Sequence, residues 1–317
     1  AVDFINFYLT GKMVTDYTLA SRMLLFDIKK KKWSEEILKI FDIPGERLPE
    51  VKPYGEKIGE ISPYLKERFN LTSFPVILGG HDHPIGSLSL SLEEGDLFDS
   101  WGTAEALLIH TKEPFLIKEV RELGFSVGCM KDLYYIIAGI HFSGGITKWL
   151  MDNMRWRITP KFKTPSKVKF FPYFLGKKSK LFDKDLYGFF YGIRQDTTID
   201  DVINSVWEGI FYESRTIIEN FINLGMPIQK TILAGGMSRF KSLLKLKAEI
   251  LNIPIFVAKE KELTSKSLAY LISKSVKPEI ADNFKEKDFY VVEPQNKSSE
   301  YEENFQKYKH IKNLLGL

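Results

Sequence analysis

The sequence predicts an α/β protein, because apolar strand-like segments alternate with amphipathic helices along most of its 317 residues. Residues 230–258 read as a strand, a glycine pair, a helix and a second strand, which is the order and length of a βαβ unit. At residues 79–80, 144–145 and 235–236, an apolar strand ends in two glycines and leads into a helix. The length and a hydrophobic content of 44% are sufficient for two domains with cores.

The first part of the chain is predicted to begin in a helix and then to alternate strands with helices. Residues 1–12 lack the basic and apolar regions of a signal peptide and resemble a helix interior. Apolar residues at helical spacing behind a Ser34 cap predict a helix over 34–43, ended by a Pro-Gly pair. Residues 55–80 then read as strand, helix and strand. The four lysines at 29–32 are interpreted as a solvated turn.

Four strands in an antiparallel meander are predicted over residues 96–140, because two apolar stretches each contain a short turn. The aromatic, lysine-rich stretch 155–195 is predicted to be irregular and to cover another part of the molecule. The longest helical pattern, 197–225, opens with Thr198 followed three residues later by an acidic residue, which is typical of a helix start. A last helix is predicted over 301–315.

Composition excludes several classes of function. The 45 basic and 41 acidic side chains are scattered and give a net charge of only +4, which argues against a nucleic-acid partner. The single cysteine, Cys129, rules out an internal disulfide framework, and no apolar run approaches the roughly 20 residues of a membrane span. The prediction is a cytoplasmic protein with no nucleic-acid or membrane partner.

The three glycine pairs raise the possibility of a phosphate ligand. Glycine lets the backbone approach a ligand closely, and the helix that follows turns free N–H groups toward an anion. Each pair alone is explained at least as well by the geometry of a strand-to-helix turn. Three pairs in one chain shift the balance modestly toward a phosphate-bearing ligand.

The segment His81-Asp82-His83-Pro84 is open to three interpretations. Proline suits the first position of a helix, so Asp82 and His83 could simply cap that helix. Two histidines beside an acid also resemble a metal site, but none of the other three histidines forms a spacing partner. The third interpretation, a catalytic acid, comes from a family resemblance.

Most of residues 1–275 resembles the FGGY carbohydrate kinases, the group that contains glycerol kinase, xylulokinase and gluconokinase. The similar segments occur in the family's order and are TGKMVTDYTLASRMLLFDI (10–28), LPEVKPYGEKIGEI (48–61), PVILGGHDHP (75–84), DSWGTAEALL (99–108), FFPYFLGKKSKLFDKDLYGFFYGI (170–193) with its continuation to residue 208, and LAGGMSRFKSLLKLKAEILNIPI (233–255).

The resemblance implies an actin-like, ribonuclease H-like ATPase fold of two domains, with ATP and sugar meeting in the cleft between them. Residues 1–95 would be the C-terminal part of the sugar-binding domain, and residues 96–275 the nucleotide-binding domain. Residues 276–317 would form a C-terminal extension that ends in a helix. The reaction implied is the ATP- and Mg²⁺-dependent phosphorylation of a sugar or polyol hydroxyl.

The resemblance also implies roles for individual residues. Asp82 is the general base, and His83 and His81 bind the substrate. The nucleotide is assigned to a larger set: phosphates to Gly102 and Thr103, the nucleotide generally to Gly144 and Gly145, and the adenosine to Gly235, Gly236 and Ser238. Phe240 is placed either against the adenine or in a helix core. The Mg²⁺ ligands and the identity of the sugar or polyol are not assigned.

One departure from the family concerns a phosphate loop. Relatives begin about a hundred residues or more upstream and carry a D-x-G-T-type loop there, and no D-x-G-T motif occurs in this chain. We therefore expect an incomplete first domain and a chain that is inactive or impaired alone. The expected partner is a second copy in a homodimer or the missing N-terminal segment.

Two alternatives remain open at this point. A non-catalytic actin-like module would bind sugar or nucleotide without transferring a phosphoryl group, since a fold does not fix a function. A metal-dependent hydrolase that uses His81, Asp82 and His83 is the weaker alternative. It would be inhibited by chelation and would not need ATP.

Overall fold

The computed structural model describes residues 2–154, 165–179, 184–295 and 298–317. The chain forms two compact units whose segments interleave along the sequence. The first unit comprises Ala1–Glu94, Leu108–Ile137 and Glu262–Lys287, and the second comprises Gly95–Leu107, Ala138–Lys261 and Asp288–Leu317. The domain boundaries expected at residues 95 and 275 remain a prediction.

The described residues contain helices and strands in a mixed α/β order. The α-helices are α1 (Val2–Thr10), α2 (Tyr17–Ala20), α3 (Glu35–Ile40), α4 (Pro63–Phe69), α5 (Asp82–Gly86), α6 (Lys118–Glu122), α7 (Gly145–Met154), α8 (Ile199–Asn223), α9 (Lys241–Leu251), α10 (Leu263–Val276) and α11 (Ser298–Leu314). None of the described helices is both long and apolar enough to cross a lipid bilayer.

The strands are mostly short. They are β1 (Val14–Asp16), β2 (Phe26–Asp27), β3 (Lys32–Trp33), β4 (Glu50–Lys52), β5 (Lys57–Glu60), β6 (Pro75–Ile77), β7 (Asp96–Trp101), β8 (Glu105–Thr111), β9 (Ser126–Cys129), β10 (Tyr134–Ile140), β11 (Lys169–Phe171), β12 (Lys177–Ser179), β13 (Lys184–Leu186), β14 (Phe189–Tyr191), β15 (Lys230–Ala234), β16 (Ile255–Ala258) and β17 (Phe289–Val292).

Local sequence explains where the helices of the first unit begin and end. The Ser34 hydroxyl caps α3 by accepting from the Ile37 N–H, and the helix stops at Ile40. In α4, Ser62 is the cap and a proline takes the first position, while Asn70 ends the helix in the left-handed conformation. The predicted helix at 34–43 and the strand-helix-strand order over 55–80 are confirmed.

The first unit contains small pairs of strands. β1 pairs with β4 in parallel, and β5 pairs with β6, β2 with β3 and β9 with β10 in antiparallel fashion. The lysine run at 29–32 spans the β2–β3 turn, where Lys31 has a φ of 52°. The prediction of a turn at the lysine run is therefore confirmed.

A larger sheet organises the second unit. Its strands follow the order β17-β16-β15-β7-β8-β10. Of the last two strands, residues 105–107 and 138–140 belong to this unit. β15 runs parallel to both β16 and β7, so the βαβ unit β15–α9–β16 is confirmed. The meander predicted over 96–140 is wrong in its order, because β10 and not β9 is the neighbour of β8. The short turn at 130–133 pairs β9 with β10, whereas the longer connection before β9 contains α6.

The stretch 155–195 is more regular than predicted where the structure describes it. β11 pairs with β14, and β12 pairs with β13, both antiparallel. Residues 155–164 and 180–183 of this prediction lie outside the described residues. The helix predicted at 197–225 is confirmed as α8, with a reciprocal capping box between Thr198 and Asp201. The final helix is confirmed as α11.

Candidate active site

Asp82 lies in the first unit at the turn between β6 and α5. It is the first residue of α5, and its side chain is 64% exposed. His81 takes the cap position without a side-chain hydrogen bond to the helix, and Pro84 comes third in the helix rather than first. The only capping contact of the Asp82 carboxylate among the described residues is the His83 N–H, 2.8 Å from Oδ1. Most of the carboxylate therefore remains available to a ligand.

The two histidines flank this carboxylate. The Nε2 atoms of His81 and His83 lie 3.5 Å and 3.9 Å from Asp82 Oδ1, and the two rings are 5.7 Å apart. Burial lowers the pKa of His81, although the charge of Asp82 partly opposes this shift. The His81 imidazole is therefore neutral near pH 7. Its buried Nδ1 atom has no hydrogen-bond partner among the described residues.

Buried side chains from the start of the chain hold the turn. The His81 N–H donates to Thr18 Oγ1 over 2.7 Å, and that hydroxyl donates to Asp16 Oδ2 over 2.8 Å. Asp16 also accepts from the N–H groups of Thr18 and Leu19, and it caps α2. Because it is removed from solvent, the pKa of Asp16 is raised to about 6.

Gly80 completes this arrangement through the absence of a side chain. A Cβ atom at Gly80 would lie 2.6 Å from Thr18 Oγ1 and 2.7 Å from Asp16 Oδ2. The close approach of the strand end to Thr18 therefore requires glycine. Asp16 and Thr18 lie in a segment that resembles the family, but neither residue was predicted to have a role. The available indication was a cap residue, Asp16, before a short helix.

The second unit contains a cavity of about 990 Å³. This volume lies within the range of small-molecule sites. Five residues predicted to contact the nucleotide line this cavity, namely Gly102, Thr103, Gly144, Gly145 and Gly236. Phe240 also lines it and is 37% exposed, so the structure places this ring at the cavity rather than in a helix core. Gly235 and Ser238 are not among the lining residues.

The turns at 102–103 and 143–145 are joined by their backbones. Ser143 N and Gly145 N donate to Thr103 O over 2.9 Å and 3.0 Å, and Gly144 N donates to Gly102 O over 3.2 Å. A Cβ atom at Gly144 would lie 2.3 Å from Gly102 O. The glycine pair thus allows two turns to meet, and these N–H groups are not free for an anion as the sequence suggested.

The two glycines of the third pair have different surroundings: Gly235 packs against a strand, and Gly236 lines the cavity. Gly235 has a φ of 113°, and a Cβ atom there would lie 2.4 Å from Trp101 O. Gly236 has no atom within 4 Å of its Cβ position and faces the cavity. Ser238 is buried, and its carbonyl oxygen accepts from the Tyr290 hydroxyl over 3.4 Å.

Two cationic side chains of the cavity were missed by the sequence analysis. Lys148 lies one turn into α7, and its Nζ atom is 2.6 Å from Asp152 Oδ2. The Arg239 guanidinium lies 4.8 Å from the centre of the Phe240 ring. Both could neutralise phosphate groups. The position of Lys148 three residues after the Gly144-Gly145 pair was the indication that could have identified it.

The described residues offer single carboxylates rather than a preformed metal cage. They contain no group of three or more His, Cys, Asp and Glu side chains that could hold a metal ion. Mg²⁺ needs only one or two carboxylates when phosphates and waters complete its shell. Asp152 is the carboxylate among the residues that line the cavity.

Two family models match the chain. The model of the N-terminal domain of the FGGY family of carbohydrate kinases matches residues 1–89, and that of the C-terminal domain matches residues 98–266. Among curated proteins, the glycerol kinase of Lactococcus lactis subsp. lactis (strain IL1403) is 28% identical over 274 residues, 83% of this chain and 54% of that protein. The glycerol kinase of Thermococcus kodakarensis is 28% identical over 283 residues, 86% of this chain and 56% of that protein. The chain spans about half the length of these relatives.

Solved structures match the fold of nearly the whole chain. Xylulose kinase from Lactobacillus acidophilus aligns with a TM-score of 0.88 and 22% identity, over 99% of this chain and 66% of that one. Plasmodium falciparum glycerol kinase with ADP aligns with a TM-score of 0.84 and 22% identity, over the same shares. The predicted fold class, the actin-like two-domain α/β fold, is confirmed.

Proposed function

Since the chain belongs to the FGGY family of carbohydrate kinases, we propose that it provides the general base and the nucleotide site for transfer of the γ-phosphoryl group of ATP to a sugar or polyol hydroxyl. The observation that carries this proposal is the placement of Asp82. Its carboxylate is exposed, while the N–H of the preceding residue, His81, is held by the buried Thr18 and Asp16 pair. A ligand can therefore reach a carboxylate whose position is already fixed.

In this mechanism Asp82 accepts the proton of the substrate hydroxyl. The hydroxyl oxygen forms a bond to the γ-phosphorus while the bond between that phosphorus and ADP breaks in line, and ADP leaves with the electron pair. The neutral imidazole of His81 and the ring of His83 hydrogen-bond neighbouring hydroxyls of the substrate. A carboxylate is an adequate base here because positioning and charge stabilisation supply most of the rate in phosphoryl transfer.

We assign the nucleotide to the cavity of the second unit. Gly102, Thr103 and Gly236 leave room for the phosphates and ribose, and Phe240 offers a ring face to the base. Lys148 and Arg239 line the cavity and supply positive charge to it. Mg²⁺ bound with ATP would neutralise phosphate charge, and Asp152 is the carboxylate of the cavity that could hold it.

The substrate class follows from the names of the relatives. The curated relatives named above are glycerol kinases, and the structural neighbours include xylulose and gluconate kinases. We therefore propose a small polyhydroxylated substrate, with glycerol, xylulose and gluconate as the first compounds to test. A cytoplasmic location and a homodimer remain proposals, the second to be checked by light scattering.

The test is ADP release in a coupled assay with Mg-ATP and these three compounds, extended to other ketoses and polyols. It should be run on the 317-residue chain and on any longer form encoded upstream of Ala1. We expect the longer form to be the more active one. Asp82→Asn should lower turnover by at least about 10³-fold and leave ADP affinity unchanged.

Asp42→Asn is the matched control, because Asp42 is an exposed carboxylate of the same unit whose φ of 51° asparagine tolerates well. Turnover that survives Asp82→Asn would remove Asp82 as the base. Nucleotide binding without turnover in every form would favour a non-catalytic module. Activity that needs a metal but no ATP would favour the hydrolase.

A further inference from the structure

A buried hydroxyl connects the two turns that line the nucleotide cavity. Ser143 Oγ accepts a hydrogen bond from Trp101 Nε1 over 3.0 Å and donates one to Glu105 Oε2 over 2.9 Å. Trp101 and Glu105 stand on either side of the β7–β8 turn that contains Gly102 and Thr103. Ser143 directly precedes Gly144, so a single hydroxyl ties both ends of one turn to the start of the other.

Glu105 is also held through the other oxygen of its carboxylate. Glu105 Oε1 accepts from Lys247 Nζ over 3.0 Å and from Ser214 Oγ over 2.6 Å. Lys247 also donates to Asp99, and its ammonium lies 4.5 Å from the centre of the Trp101 ring. The side chains of Lys247, Asp99 and Glu105 are completely buried.

Stability alone is a weak reason for such a cluster. Buried ion pairs are often no more stabilising than apolar residues of the same volume, because charges lose their hydration. Burial raises the pKa of Asp99 to about 7, and its Oδ1 atom has no hydrogen-bond partner among the described residues. The cluster does fix Glu105 in one orientation, with both carboxylate oxygens committed, and through Ser143 it fixes the turns above it.

We propose that Ser143 is a positioning residue for the nucleotide, which transmits the fixed orientation of Glu105 and Lys247 to the turns at Gly102–Thr103 and Gly144–Gly145. This inference rests on the proposed function, since it assumes that the cavity binds a nucleotide. Ser143 does not line the cavity. Its effect on binding therefore passes through the turns.

The chain offers a closely matched control. Ser143 and Ser214 are both completely buried serines that donate to the same carboxylate, one to each oxygen. Ser143 belongs to a cavity turn, whereas Ser214 lies in the middle of α8. If the hydroxyls act only on stability, Ser143→Ala and Ser214→Ala will behave alike. If Ser143 positions the turns, only Ser143→Ala will weaken nucleotide binding.

The experiment is isothermal titration calorimetry with ADP on the whole chain and the two variants, with melting temperatures measured alongside. We expect Ser143→Ala to raise the Kd for ADP about tenfold and Ser214→Ala to leave it within about twofold, at similar losses of melting temperature. Trp101→Phe, which removes only the indole donor and part of the ring, should repeat the loss of affinity if Ser143→Ala fails to fold.

A spectroscopic measurement separates positioning from stability. The indole N–H resonance of Trp101 should shift upfield in Ser143→Ala, stay in place in Ser214→Ala, and respond to ADP in the wild-type chain. Wild-type protein that binds no ADP would overturn both the proposed nucleotide site and this inference. Wild-type protein that binds ADP, with equal affinities in the two serine variants, would overturn the inference alone.

Discussion

Gly235 and Gly236 show how neighbouring residues of one type can serve different purposes. Gly235 needs a positive φ and leaves no room for a side chain, whereas Gly236 has open space that belongs to the cavity. Both residues were predicted to contact the adenosine, and only Gly236 lines the cavity. The sequence alone does not show which of the two glycines packs against Trp101, because that contact depends on the pairing of β15 with β7.

We predict that alanine lowers the stability of the protein at position 235 and its affinity for ADP at position 236. Gly235→Ala should lower the free energy of unfolding by about 2 to 5 kcal/mol, because it adds backbone strain and a clash with Trp101 O. Gly236→Ala should unfold like the wild type but bind ADP more weakly, since its methyl group enters the cavity. Urea denaturation and ADP titration of both variants test this. Equal stabilities of the two variants would contradict it.

Thr18 could not be connected to Asp82 from the sequence, because its contact with His81 crosses 63 positions of the chain. Its effect can be tested without turnover. Thr18→Val should speed amide hydrogen exchange at His81 roughly tenfold or more, since the N–H loses a buried acceptor. Thr18→Ser, which keeps the hydroxyl, is the control and should retain protection. Unchanged exchange in Thr18→Val would show that the turn is held by other contacts.

At the scale of elements, helix ends were predicted better than short strands. Ser34 and Thr198 indicate where their helices begin, because a cap is a local contact formed within three residues. β11 to β14 have three residue pairs in each pairing, and the paired residues lie up to 22 positions apart, so no periodicity identified them. The order of β9 and β10 was missed for a related reason. A pattern of apolar residues shows that strands exist, but the lengths of connections decide which strands are neighbours.

The contact of α8 with α11 predicts a dependence of stability on pH. Glu213 on α8 accepts from Lys312 Nζ over 2.7 Å and from two tyrosine hydroxyls. Burial alone would raise the pKa of Glu213, but the ammonium of Lys312 and these hydrogen bonds lower it to about 2, from an ordinary value of 4.5. The folded chain therefore keeps Glu213 ionised at a pH where the unfolded chain binds a proton.

The stabilising contribution of this carboxylate is complete above pH 4.5 and declines as the pH falls toward 2. Between pH 4.5 and 3.5, the wild type should lose about 1 kcal/mol more stability than Glu213→Gln. Urea midpoints at pH 7, 4.5 and 3.5 test this, with Glu300→Gln on the exposed surface of α11 as the control. Parallel pH profiles of wild type and Glu213→Gln would contradict the prediction.

At the scale of the whole molecule, the sequence identified the fold class and the order of the family's motifs, whereas the domain boundaries at residues 95 and 275 stay a prediction. The structure assigns residues 108–137 and 262–287 to the first unit. Contacts of this unit depend on them: Ser89 N donates to Ser267 Oγ, and Ser87 Oγ lies 3.0 Å from His110 Nε2. No local sequence pattern indicates that these later segments pack with the first unit.

We predict that a fragment of residues 1–94 will not fold by itself. It would lack His110 and Ser267, the partners of Ser87 and Ser89, and it would lose α10, which packs against α5. Proton-nitrogen NMR spectra should show poor dispersion for the fragment and full dispersion for the 317-residue chain. A well-dispersed spectrum from the fragment would show that the later segments are dispensable.

The interleaving of the two units also determines when the first unit can finish folding during translation. The first unit receives its last residues near position 287, long after residue 94 has been translated. At ribosomal speeds of about 5 to 20 residues per second, its opening segment waits roughly 10 to 40 s for the strands and helices that complete it. During that interval apolar side chains such as Leu65, Leu78 and Ile85 have no finished core to enter. The nascent chain should therefore depend on chaperones more than a protein whose N-terminal unit closes first.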